Sequence, residues 1–247
     1  MIREQDKREV VREQNGALVI TPFLERGVTA ACSTRKWDLN FRTQGEDQFE
    51  DNLKAFCDSV DVTPEDLVYF EQVHKTDIVA VNESLKGNGS KNQVRGELLK
   101  ADGGVTSAVG IPIAIFTADC APLFFFDQKK HSIGLAHIGW RGAQAGLAGK
   151  MVSEFKRLFR SDPINLKVAV GPMIRSCCYE VGSEFVDRFG THVQNRSGKF
   201  YFDLAGFIQD KLLASGVPGA NILDFGLCTV CAKDIFFSHR RDGEQAG

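Results

Sequence analysis

The chain has 247 residues, with 30 Lys plus Arg against 32 Asp plus Glu, a formal charge of −2, and 43% hydrophobic residues. Such a balance belongs to an ordinary globular protein, and 19 Phe supply apolar surface enough to bury a core without disulfide staples. It argues against a nucleic-acid binder, whose phosphate contacts call for a basic stripe.

Residues 1–16, MIREQDKREVVREQNG, are strongly polar and read as a frayed helix or a flexible arm. The first thirty residues hold no apolar secretory core. Seven cysteines in that setting read as the reduced thiols, ligands or nucleophiles of a cytoplasmic protein. Alternation and β-branched content predict strands over 17–20, 67–72, 78–81, 104–105, 113–116, 123–126, 132–137, 167–170 and 222–225. Helices are predicted over 48–60, 142–160 and 207–215. In the second of these, Leu147, Met151, Phe155, Leu158 and Phe159 recur at three- and four-residue steps, and Pro163 stops it. Leu85 to Arg95 reads as a polar surface loop. The longest apolar stretch, Ile111 to Phe126, is broken by Pro112, Asp119 and Pro122 and is too short to span a bilayer. Consecutive strand runs between separated helices predict one α+β domain over residues 1–247.

Three segments end on reactive side chains: Phe70 to His74, Phe116 to Pro122 and Leu135 to Gly142. Two imidazoles and one thiolate, here His74, His137 and Cys120, make a tetrahedral set suited to Zn²⁺ with one open position. The same side chains also read as a cysteine nucleophile, Cys120, with His137 as base and Asp119 or His74 as orienter. The spacing leaves both open. Cys228-Thr229-Val230-Cys231 has no second knuckle to complete a closed site, and the neighbours Cys177 and Cys178 read as packing around the Gly171-Pro172 turn. Asp102 reads as structural, and His131 and His192 as solvated loop histidines.

In order along the chain, Gln72-Val73-His74, Thr117 to Pro122, Ala136 to Gly142, Gly171 to Gly182 and Cys228 to Asp242 resemble the motifs of the laccase-domain family, also called the polyphenol oxidase or purine nucleoside phosphorylase family. The resemblance runs from about Ser33 onward. It implies a single-domain α+β fold, a mixed β-sandwich with flanking helices, and zinc held by His74, Cys120 and His137. The activity it implies is phosphorolysis of adenosine, inosine, guanosine and methylthioadenosine, with adenosine deamination beside it. Copper-dependent phenol oxidation and editing of peptidoglycan precursors are the family's other associations, and copper is therefore a second candidate metal. Catalytic expectations fall on His74, Cys120, His137 and Asp119, the last as an outer carboxylate or general acid/base.

An open-site zinc meets the need of a deaminase, whereas phosphorolysis needs a cationic pocket for phosphate. Arg141, Arg240 and Arg35 are the candidates for that pocket, because a guanidinium fork matches phosphate, and Asn40 joins them at its wall. Arg141 leads, since glycines flank Trp140-Arg141. For Arg241 a structural salt bridge is as good a reading. The expected partners are a purine nucleoside and phosphate, with no nucleic acid and no membrane. Two departures stand out. Lys36 to Asn40 follows Ser33-Thr34-Arg35 where the family has a glycine-rich insertion, and Glu244 to Gly247 ends the chain where the family continues into a final strand, so an open sheet edge is expected.

Overall fold

In the computed structural model, residues 11–40, 43–89 and 98–246 are described. Asn15 and Gly16, at φ 55° and 96°, form the two-residue turn between β1 (Val11–Gln14) and β2 (Ala17–Ile20). Positive φ at both positions matches the twist of the flanking strands. This hairpin corrects the reading of residues 11–16 as an arm; residues 1–10 lie outside those described. β3 (Ala31–Cys32) completes a three-stranded antiparallel sheet. Between them lies α1 (Thr21–Leu24), and α2 (Glu46–Ser59) follows, burying Phe49, Leu53 and Cys57.

The central sheet has six strands: β4 (Ile78–Ala80), β5 (Gly103–Thr106), β6 (Ala121–Asp127), β7 (Ser132–Ile138), β8 (Leu166–Val170) and β12 (Ile222–Asp224). Their order is β12-β8-β6-β7-β5-β4, antiparallel in the middle and parallel in both outer pairs. The sheet is mixed and covered on both faces, and β6 shows how the sequence achieves this. Leu123 and Phe125 point to one cluster while Phe124 and Phe126 point to the other, as a two-residue period requires.

On the first face lie α3 (Trp140–Gln144) and α4 (Leu147–Phe159), then α6 (Leu204–Ala214). The predicted helix 142–160 is therefore two helices, because Gly146 takes φ 82° and breaks the ladder between them. α4 lies close to the sheet because Gly103 and Gly134 leave room for Met151 and Phe155. On the second face Ile20 and Phe23 of the N-terminal sheet region meet Phe124, Phe126 and Ala169. Sheet faces sheet there, the α+β sandwich the resemblance implies. A third small sheet, β10-β11-β9, is built from β9 (Glu180–Val181), β10 (Val193–Arg196) and β11 (Lys199–Phe202), with α5 (Glu184–Phe189) between β9 and β10. The last helix is α7 (His239–Asp242).

Two predicted strands are not strands. Residues 67–70 are buried and 113–116 half-buried, but the two segments pair only through the isolated bridges Val68↔Ile113 and Glu71↔Lys100. Pro112 has no N–H to give, and the Gln72 side chain takes over where the ladder ends, donating to the Phe116 carbonyl at 2.8 Å and accepting its N–H at 2.7 Å. Of the predicted loop 85–95, residues 90–95 lie outside those described. Among the described residues no helix is long and apolar enough to cross a membrane.

Candidate metal centre

His137 lies on β7 opposite Pro122 of β6, and Cys120 stands just before that strand. His74 arrives from the loop after the extended segment 67–72, at φ 56°, and its ring meets that of His137 edge to face at 4.7 Å. One ligand atom from each of His74, Cys120 and His137 lies within 4.8 Å of the other two. Three side chains up to 63 residues apart in sequence thus converge on one point, exposed at His74, half-buried at Cys120 and buried at His137.

The residue behind them is Asp102, fully buried at the start of the β5 segment. Its carboxylate receives the backbone N–H groups of His74 at 2.9 Å, Lys75 at 2.7 Å and Val73 at 3.3 Å, and meets His137 Nδ1 at 2.9 Å. Its backbone carbonyl accepts the His137 N–H at 2.8 Å. A carboxylate in that position fixes the Nδ1–H tautomer and leaves Nε2 for the centre. One side chain therefore sets both the loop that carries His74 and the ring of His137.

The electrostatics agree. Burial pushes the Cys120 thiol up, but His137 and His74 beside it outweigh that and hold it at about 7. Burial pulls His137 down, and Asp102 and Cys120 together lift it to about 9. For Asp102 burial raises the carboxyl, while His137 and the N–H groups of Lys75 and His74 bring it below the ordinary value. Near neutral pH this favours a Cys120 thiolate beside a protonated His137, and an ion bound through Nε2 would displace that proton, leaving the donor set of a soft or borderline metal.

Asp119, at φ 94°, sits in a conformation a non-glycine residue rarely adopts. Its carboxylate accepts Thr229 Oγ1 at 2.6 Å, Ser238 Oγ at 3.0 Å and the Arg240 N–H at 2.7 Å. It faces the segment 229–240 and fastens that segment beside Cys120. Arg240 gives Nη1 to the Glu180 carbonyl at 2.8 Å and lies over the Tyr179 ring. Arg141 is exposed, with its guanidinium over the Trp140 ring and no hydrogen-bond acceptor among the described residues. Burial first, then the charges of Cys120 and Asp119 against those of Arg240 and Arg141, act on the Tyr179 hydroxyl, with a net rise to about 12.

Arg35 and Asn40 lie against the last residues described. Arg35 Nη1 donates to the Phe236 carbonyl and to Asp242, and Asn40 Nδ2 donates to the carbonyls of Glu244 and Ala246. Arg241 is a brace, donating to the carbonyls of Thr229, Val230 and Phe236 and pairing with Asp242. His192 is not a free loop histidine, since it pairs with Asp210 at 3.1 Å and packs on Phe207. A mainly apolar cavity of about 920 Å³ is lined in part by Asn40, Gln72, Thr117, Phe237 and His239, near the ligands in sequence but not including them.

The model of the family described as multi-copper polyphenol oxidoreductase laccase matches residues 26–247. The chain belongs to this family. Among relatives of this laccase-like chain, the purine nucleoside phosphorylase YlmD of Geobacillus stearothermophilus is 37% identical over 186 residues, 72% of this chain and 68% of that one. The adenosine deaminase RL5 of an unknown prokaryotic organism is 33% identical over 192 residues, 74% of this chain and 72% of that one. The crystal structure of YlmD from Geobacillus stearothermophilus superposes with a TM-score of 0.88 at 31% identity, covering 96% of each chain.

In this laccase-family chain the sequence reading takes Asp102 as merely structural, and takes Gly139 only as one of the two glycines that let the backbone at Trp140-Arg141 approach a ligand. Gly139 has a detectable reason. A Cβ there would stand 2.9 Å from Cys120 Sγ and 3.1 Å from His74 Nδ1. Gly139→Ala is expected to push these donors apart and weaken metal uptake by roughly 10–100-fold, the scale of disturbed ligand positioning. Zinc titration against a competing chromophoric chelator checks this, and unchanged uptake would show that the three donors do not share one ion.

Proposed function

We propose that the protein is a zinc-dependent purine nucleoside phosphorylase in which His74, Cys120 and His137 hold the metal. The observation that carries this reading is the convergence of two imidazoles and one thiolate, braced by Asp102, with the exposed guanidinium of Arg141 four residues past His137 and stacked on Trp140. The donor set suits zinc with one position left open, and the absence of a side chain at Gly139 leaves room for it. Bound there, the metal supplies Lewis-acid chemistry. The chain's own residues do the rest. Asp102 holds the His137 tautomer. Arg141, stacked on Trp140 with its fork free, and Arg240 offer charge to phosphate. Asp119 positions Arg240 through its backbone N–H. Arg35 and Asn40 contribute from the wall they form with the C-terminal segment. The neighbouring cavity has the volume and apolar lining that a purine base needs.

In phosphorolysis the C1′–N9 bond breaks as a phosphate oxygen bonds C1′, giving free base and ribose 1-phosphate. Zinc-loaded protein incubated with adenosine and phosphate is expected to release adenine and ribose 1-phosphate in equal amounts, and only when phosphate is present. Inosine appearing without phosphate would mark deamination, the activity named for RL5. Neither product from metal-replete protein would overturn the reading. Arg141→Ala is expected to keep its zinc and raise the KM for phosphate by roughly 10–100-fold, the loss of one or two charge-assisted hydrogen bonds.

One observation favours a second reading. Cys120, His137 and Asp102 stand in the order of a nucleophile, base and orienter. A cysteine hydrolase acting on an amide, such as a peptidoglycan precursor, would use them so. It assigns no task to His74, whose ligand atom lies within 4.8 Å of those of Cys120 and His137 in the same cluster.

A further inference from the structure

A second cluster of donors lies outside the centre. The sulfurs of Cys177, Cys178, Cys228 and Cys231 all fall within 4.8 Å of one another. Cys231 stands 3.6 Å from Cys177 and 3.3 Å from Cys178, so it has no single sulfur partner. Four sulfurs held at about 2.3 Å from one zinc ion are about 3.8 Å apart, which is the spacing this cluster approaches. The C-x-x-C run that lacks a second knuckle in the sequence finds it in the Cys177-Cys178 pair, on the turn over residues 176–178. That turn corrects the reading of the pair as packing around Gly171-Pro172. Both neighbours face Cys231 because the chain there is a turn and not a strand, which would send them to opposite sides.

The backbone is shaped for the same purpose. The backbone N–H groups of Cys231, Arg175 and Val230 are directed at the Cys228 sulfur. Cys228 is bound to the core by the Met173↔Cys228 bridge, while Cys177 and Cys231 are exposed. Four thiolates around a divalent ion leave two negative charges, and guanidinium groups brace both halves. Arg241 donates to the carbonyls of Thr229 and Val230 inside the C-x-x-C turn, and Arg196 donates to the Ser176 carbonyl on the other turn at 3.0 Å.

We infer that Cys177, Cys178, Cys228 and Cys231 form a closed, four-thiolate zinc site that clamps the turn before Tyr179 to the turn after Cys228. A closed site of this type serves structure, and the clamp has a clear beneficiary. Thr229 lies inside the C-x-x-C turn and binds Asp119, and Tyr179 directly follows Cys178 and carries the Arg240 guanidinium. The inference does not depend on the proposed activity or on the metal at the first centre.

The test uses the full chain, purified under reducing conditions. Wild-type protein is expected to bind two Zn²⁺, Cys228→Ser/Cys231→Ser one, and His74→Ala/His137→Ala to keep the ion held by four thiolates. Co²⁺ separates the two centres, since the intensity of sulfur-to-cobalt charge transfer grows with the number of thiolates. The strong band is expected to survive in the histidine double variant and vanish in the cysteine double variant. An equal metal content and cobalt spectrum in wild type and Cys228→Ser/Cys231→Ser would overturn the inference. A measurement on wild type alone guards against a variant that does not fold. With saturating Zn²⁺, alkylation of Cys177 and Cys231, resolved by peptide mapping, is expected to slow by roughly a hundredfold because only the metal-free fraction reacts. Equal rates with and without Zn²⁺, or recovery of these residues as disulfides with no metal taken up, would overturn it as well.

Discussion

Cys120→Ala is expected to lose zinc from the first centre and phosphorolysis together, and His74→Ala is expected to do the same. The thiolate is the softest of the three donors, so its loss should cost more than the roughly 10–100-fold in affinity that follows loss of an outer partner. His74 makes the comparison decisive. In a cysteine–histidine–aspartate hydrolase it has no chemical part, and His74→Ala would retain turnover while Cys120→Ala abolished it with metal content unchanged. At a metal centre the two variants fail alike, and chelation reproduces both. Metal content of each variant, measured alongside product formation, separates the cases. Zinc retained by Cys120→Ala at the wild-type level would sink the metal assignment.

The second large effect belongs to Asp102. Asp102→Ala would leave the N–H groups of Val73, His74 and Lys75 and the Nδ1–H of His137 without their shared acceptor inside the fold. The three N–H bonds are part-buried and the His137 bond is buried; a donor stranded away from water costs about 1–3 kcal/mol, and removing one partner of a buried charged pair costs roughly 3–5 kcal/mol. A thermal or urea melt should therefore show a loss of several kcal/mol. Asp102→Asn keeps the volume and one acceptor oxygen but turns an amide toward donors. It should fold with a smaller penalty and still bind zinc roughly 10–100-fold more weakly, because the His137 ring loses the partner that selects its tautomer. Wild-type metal affinity in a well-folded Asp102→Asn would mean that the carboxylate supports the loop alone.

The central strands are legible because residues such as Leu123 to Phe126 are apolar on both faces and rich in β-formers, which is what a strand between two layers must be. The same texture misleads at residues 67–72. The side chains of residues 67–70 are buried as a strand's would be, yet the segment's hydrogen bonds go to a proline-containing neighbour and a glutamine amide. The N-terminal hairpin carries a plain signal, Asn15-Gly16, which the polar β1 disguises as an arm. Ser197 and Gly198, both at positive φ, do the same for β10 and β11. At the site, the side chains with metal-binding chemistry stand out in sequence, and the family resemblance singles out His74, Cys120 and His137. Asp102 does not stand out, since its partners come from residues 73–75 and 137 and only the folded sheet brings them to it. The four cysteines are likewise two unrelated pairs until two turns meet.

The strained backbone of Asp119 also has a place in time. The groups that hold its carboxylate, from Thr229 to Arg240, follow it by 110 to 121 residues. At ribosomal rates of about 5–20 residues per second, that separation is roughly 5–25 s of synthesis. His74, Cys120 and His137 have all been made well before the segment that fastens Asp119 exists. A nascent chain thus owns its three donors before it owns the lock that sets the approach of Cys120, and an ion captured in that interval meets a looser site than the finished protein offers.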